Sequence, residues 1–138
     1  MEKKSYDSFQ IGDTASFSKT ITESDVSNYA GITGDFNPVH IDQEYAAKSF
    51  FKDRIVHGML SAGLISAVLG TKLPGPGAIY LSQDLKFRKP VKINDTITAK
   101  VEVIEKKPKR NILKLKTICF NQKNDEVLTG NAEIMLNA

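Results

Sequence analysis

Two groups able to move protons lie five residues apart on one short stretch, Asp35 and His40, with Phe36, Asn37, Pro38 and Val39 between them. Pro38 fixes its own φ and pushes Asn37 to an extended conformation, so the stretch from Gly34 to His40 reads as a stiff loop in which a helix is blocked. Such a loop can face a carboxylate and an imidazole toward one small volume. That arrangement suits general acid–base chemistry, one group taking a proton from water while the other delivers one. Asn37 is a candidate support for this geometry.

His57-Gly58 opens a second candidate site, because an apolar helix follows it directly. The first turn of a helix has N–H groups without internal partners and a partial positive charge. Gly58 has no side chain, so a ligand can approach its backbone closely. A carbonyl oxygen developing negative charge would be stabilised there. Ser61 and Ser66 place hydroxyls on the same helix, but no base is spaced to make either a nucleophile. Most buried serines bond back to a helix carbonyl; Ser66 is also a candidate donor to the loop carboxylate. Cys119 alternates with apolar partners and reads as inert core. Lys86, Arg88, Lys89 and Lys92 surround Phe87 and Pro90. They could meet phosphates, although a solvated strand edge is the commoner meaning of such charges.

The elements that must position these groups follow from spacing. Ala15 to Ile21 reads as a short strand. Thr22 and Asp25 form a capping-box start, with Val26, Tyr29 and Ala30 at helical spacing and Gly31 and Gly34 ending that helix. Asp42 caps a short helix from Gln43 to Lys48. From Met59 to Leu69 apolar residues cover nearly the whole circumference, with no charge before Lys72, so this helix is expected to be buried on all sides. Gly70 and then Pro74-Gly75-Pro76-Gly77 stop it. Four runs with period two follow. Ile79, Leu81, Leu85 and Phe87 share a face of the first; Ile97, Ala99, Val101 and Val103 of the second; Leu113, Leu115 and Cys119 of the third; Leu128, Ala132, Ile134 and Leu136 of the fourth. Turns fall at Asn94-Asp95, Lys107-Pro108 and Asn124-Asp125. The economical architecture is α+β: a curved antiparallel sheet wrapped around one long central helix, the hot-dog fold.

Composition sets the outer limits. The 138 residues form one domain's worth of chain, 1–138, able to build a core without staples. No apolar run reaches the ~18 residues a membrane span needs. The N-terminus has no apolar stretch of the kind a secretory signal carries, and the cytoplasm is the expected compartment. One cysteine and two histidines supply neither an intramolecular disulfide nor a cysteine-rich zinc site, and only poorly a histidine-based one, so no metal is expected. The charge sum of 19 − 16 = +3 is spread along the chain, unlike the basic stripe of a nucleic-acid binder.

Gly34-Asp35-Phe36-Asn37-Pro38-Val39-His40, followed by Ile55-Val56-His57-Gly58-Met59, resembles the hydratase signature of the MaoC-like (R)-specific enoyl-CoA hydratases. The similarity continues through Leu73-Pro74-Gly75, Ile79-Tyr80-Leu81 and Phe87-Arg88-Lys89-Pro90-Val91 to the last strand. The resemblance implies a homodimeric hot-dog protein that adds water reversibly to trans-2-enoyl-CoA, giving (R)-3-hydroxyacyl-CoA. It implies Asp35 and His40 as the pair that holds and activates the water, and Gly58 as the backbone donor to the thioester oxygen. Leu69 and its helix neighbours are candidates to line the acyl tunnel. No cofactor is implied, since coenzyme A is part of the substrate. Dehydration of 3-hydroxyacyl groups on acyl-carrier protein is the alternative within the family. A thioesterase of this fold commonly has an acidic residue on or near the central helix, which Met59 to Leu69 lacks. A non-catalytic acyl-CoA binding module would have no use for the acid–base pair.

Overall fold

The computed structural model describes residues 2–136. Its regular elements are β1 (Thr14–Thr20), α1 (Glu23–Thr33), α2 (Pro38–Ile41), α3 (Gln43–Ala47), α4 (Gly58–Thr71), β2 (Ala78–Gln83), β3 (Lys86–Phe87), β4 (Thr96–Lys107), β5 (Ile112–Phe120) and β6 (Glu126–Leu136). The strands form one antiparallel sheet of order β1-β4-β5-β6-β2, with β3 also paired to β6. The sheet does not close into a barrel; it packs α4 against its inner face, as a hot-dog fold does.

The alternation read from the sequence holds for the long strands. Ile97, Ala99, Val101 and Val103 of β4, Leu113, Leu115 and Cys119 of β5, and Leu128, Ala132 and Ile134 of β6 are all buried. They meet Ile65, Val68 and Leu69 of α4, and this contiguous apolar layer is the core. Burial raises the Cys119 thiol to about 12, so it stays protonated and behaves as a small hydrophobe.

Local start signals also hold. Thr22 Oγ1 accepts from the Asp25 N–H and the Asp25 carboxylate accepts from the Thr22 N–H, a complete capping box. The Lys19 ammonium, 2.7 Å away, and the Thr22 N–H hold the Asp25 carboxyl below its ordinary value. Gly34 ends α1 in the left-handed conformation at φ 82°, whereas Gly31 lies inside the helix. Asp42 caps α3 by accepting from the Tyr45 N–H.

Four expectations are corrected. The stretch after Asn37 is not all loop: Pro38 begins the one-turn helix α2, because its missing N–H is no loss at a first helical position. Gly70 does not stop α4, which runs on to Thr71. Residues 79–87 are not one strand with one greasy face. The register shifts between Tyr80 and Ser82, and the chain breaks before β3. The break fits the close crossing at Gly130, where any Cβ would lie 1.9 Å from the Asp84 carbonyl oxygen. Ile79, Leu81 and Phe87 are consequently exposed. Finally, α4 is not covered on all sides in a single chain. Met59, Gly63, Ser66 and Gly70 form an exposed stripe beside the edge strand β2.

Candidate active site

The loop after α1, the helix α2 and the N-terminus of α4 converge on a cavity of about 650 Å³. Asp35, His40, His57, Gly58 and Ser61 line it, with Val91, Val127 and Leu128 as apolar wall. Each functional group reaches it for a local reason. Asn37 Oδ1 accepts from the Val39 N–H and so caps α2, which presents His40 one turn on. Asp35 Oδ1 accepts from the Asn37 N–H, a short turn that holds the carboxylate near its own backbone. Asn37 thus supports both members of the pair.

Two carbonyls fix the imidazoles. His40 Nδ1 lies 2.8 Å from the Ile55 carbonyl oxygen, and His57 Nε2 lies 3.0 Å from the Asp35 carbonyl oxygen. A carbonyl only accepts, so both of these nitrogens carry the proton, and the basic nitrogen of neutral His40 is Nε2. The two rings stack, centroids 3.8 Å apart and planes inclined by 27°, with Tyr29 tilted against His57 at 4.7 Å. Burial holds the His40 pKa below its ordinary value and proximity to His57 adds to this, while the Ile55 carbonyl and Asp35 oppose it. The result is a histidine kept neutral, ready to accept a proton.

A carboxylate oxygen of Asp35 and a ring nitrogen of each histidine lie within 4.8 Å of one another. That separation is spanned by one water hydrogen-bonded at both ends. The same three groups are the donors a metal would use. Each histidine already gives one nitrogen to a carbonyl, which leaves His40 Nε2, His57 Nδ1 and the Asp35 carboxylate as the atoms open to such an ion.

At the head of α4, Leu60 and Ser61 donate back to the His57 carbonyl, which leaves the Gly58 N–H among the first-turn donors with no helical partner. A Cβ on Gly58 would come within 2.6 Å of the Phe87 ring. Any larger residue here must displace that ring.

Comparison with known proteins agrees with this geometry. The family model for the MaoC like domain matches residues 8–121. The chain is 48% identical to the (R)-specific enoyl-CoA hydratase of Rhodospirillum rubrum, over 96% of this chain and 92% of that protein. The chain belongs to the MaoC-like family. It is also 48% identical to the 3-hydroxybutyryl-CoA dehydratase of Methylorubrum extorquens, over 92% of this chain and 80% of the relative. Among solved structures, the (R)-hydratase of A. caviae superposes with a TM-score of 0.92 at 42% identity, covering 94% of this chain and 98% of that one. The unliganded R-hydratase from Pseudomonas aeruginosa gives 0.90 at 47% identity, covering 95% and 84%.

Within this MaoC-like chain the structure brings Asp35, Asn37, His40 and Gly58 together. It does not bring Ser66 to them. Ser66 faces outward on α4 in a separate depression beside Tyr80 and Leu81. Leu69 is buried in the core and is not among the residues lining the cavity. Arg88 and Lys89, read as solvated edge charges, are exposed and at the same time line the cavity. Sequence reasoning missed the role of His57, whose stacking partner is distant in sequence, and the place of Ser61 in the cavity wall.

Proposed function

We infer that this chain is an (R)-specific enoyl-CoA hydratase, adding water reversibly to trans-2-enoyl-CoA to give (R)-3-hydroxyacyl-CoA. One observation carries the reading: a carboxylate and a neutral, buried imidazole separated by a water's span, in an apolar-walled cavity at the head of a helix. The closest chemistry this supports is proton transfer to and from a single bound water. Asp35 and His40 hold that water. As its oxygen bonds C3, the pair takes up one of its protons and returns a proton to C2, so the whole water is added across the double bond. The π electrons shift toward the thioester oxygen, where the Gly58 N–H and the α4 terminus meet the growing charge. No redox change occurs, and the reaction so written needs neither metal nor organic cofactor. Arg88 and Lys89, which line the cavity, would meet the phosphates of coenzyme A.

The direct experiment follows the absorbance of the conjugated double bond of crotonyl-CoA. Its loss on adding the protein, with (R)-3-hydroxybutyryl-CoA as product, is the expected result. No loss of absorbance at micromolar protein overturns the reading, and release of free thiol would instead mark a thioesterase. Running the same substrate on acyl-carrier protein assigns the carrier.

The active form we propose is a homodimer in the cytoplasm. The exposed stripe of α4 and the edge of β2, with Ile79, Tyr80 and Leu81 open, present an apolar face and unpaired strand groups that a second copy would cover about a two-fold axis. Light scattering at low micromolar concentration should give the dimer mass; a fully active monomer would refute it.

A further inference from the structure

Ser61 is 2% exposed, and its Oγ is sealed from solvent with no hydrogen-bond partner. Two threonines at helix ends behave differently. Thr33 Oγ1 donates to the Tyr29 carbonyl, and Thr71 Oγ1 donates to the Ala67 carbonyl, each four residues back. The corresponding carbonyl for Ser61 is that of His57, which accepts from the Leu60 and Ser61 N–H groups but not from the Ser61 hydroxyl. Leaving a buried hydroxyl without a partner costs stability. Ser61 also lines the same cavity as Asp35, His40 and Gly58. It stands three residues after Gly58, so the two share a face of α4. A serine turns about one bond between three staggered positions. Because no hydrogen bond holds the present rotamer, nothing is broken when the hydroxyl turns toward a ligand.

We propose that the Ser61 hydroxyl is a second donor to the thioester oxygen of the substrate, beside the Gly58 N–H. This rests on the hydratase reading and deepens it. The surroundings favour a strong bond: Val91, Val127 and Leu128 wall the cavity, and a hydrogen bond in apolar surroundings is electrostatically stronger than in water. The charge on the oxygen grows as water adds, so the bond tightens in the transition state and acts on kcat more than on KM.

Three readouts on Ser61→Ala test the proposal. The kcat for crotonyl-CoA should fall about a hundred- to a thousandfold with KM little changed, the loss expected when one donor of an oxyanion pair is removed. The melting temperature should hold or rise, since an orphaned polar group has been deleted. The carbonyl stretch of bound butyryl-CoA, which lacks the double bond and cannot react, should move to higher frequency in the variant than in the unaltered protein. An unchanged stretch with unchanged kcat overturns the donor role and leaves the hydratase reading intact. A fall in melting temperature that accounts for the lost activity also overturns it, by making Ser61 structural. Failure of the unaltered protein to bind butyryl-CoA and to hydrate crotonyl-CoA overturns the hydratase reading and this inference with it.

Discussion

Substitution of Gly58 separates the backbone donor from the space around it. Proline removes the N–H outright, and the site suits it. Gly58 is the first residue of α4, and His57 before it has φ −56° and ψ 131°, the extended conformation a residue preceding proline requires. The added carbons are a separate disturbance. An ideal Cβ at this position lies 2.6 Å from Phe87 Cε1 and 2.7 Å from Cδ1, so even Gly58→Ala must displace the ring. Phe87 is 55% exposed and its ring is the free end of a side chain, so it can swing aside, but doing so alters the cavity wall. The clean comparison is therefore made in a Phe87→Ala background, where both the alanine and the proline fit. There the two double variants share the Cβ and differ in the N–H and in the two remaining ring carbons of proline. Loss of one donor to a developing oxyanion costs about 3–4 kcal/mol, or ~10²–10³ in kcat. Substrate binding should change less, because the thioester oxygen is less charged in the ground state. Initial rates of crotonyl-CoA hydration across a range of concentrations give kcat and KM for each. Equal kcat for the folded alanine and proline forms would refute the oxyanion role and leave Gly58 as a packing residue.

Asp35→Asn and His40→Gln should each lower kcat by ~10²–10⁴ with folding retained, as judged by circular dichroism, and near-normal turnover in either would remove that residue from the mechanism. Because His40 must be neutral to accept a proton and its pKa lies below the ordinary ~6.5, kcat/KM should stay level down to about pH 6.5 and fall only below it; an acid limb centred at pH 7 or above would contradict this. The same shift has a stability consequence. The unfolded chain binds more protons than the folded one between the depressed pKa and ~6.5, so His40's contribution is present above ~6.5 and is lost as pH falls toward the folded value. Urea titrations at a series of pH values should show that slope in the unaltered protein and lose it in His40→Gln.

What lay in the sequence was local or periodic. The Thr22–Asp25 capping box spans a single turn, so its chemistry is complete within four residues. The strands β4, β5 and β6 announce their inner faces by alternation, which the backbone geometry of a strand imposes. The Asp35–His40 loop was legible because Pro38 and Asn37 constrain it from within, although the helical turn that begins at Pro38 was not. Tertiary structure decided what depends on residues far apart. His40 and His57 stack because the loop and the head of α4 are packed together, and no spacing rule connects residues 40 and 57. The strand expected over residues 79–87 breaks at a crossing with Gly130, nearly fifty residues on. Ser61 lies on the cavity side of α4 with its hydroxyl unpartnered, whereas Ser66, on the same helix, faces outward. The apolar circumference of α4 told that every side of it avoids water, but not whether its own sheet or another surface supplies the cover. Periodicity records which residues must be buried; the partner that buries them is set by packing between distant segments, and that information is held in no local window of the chain.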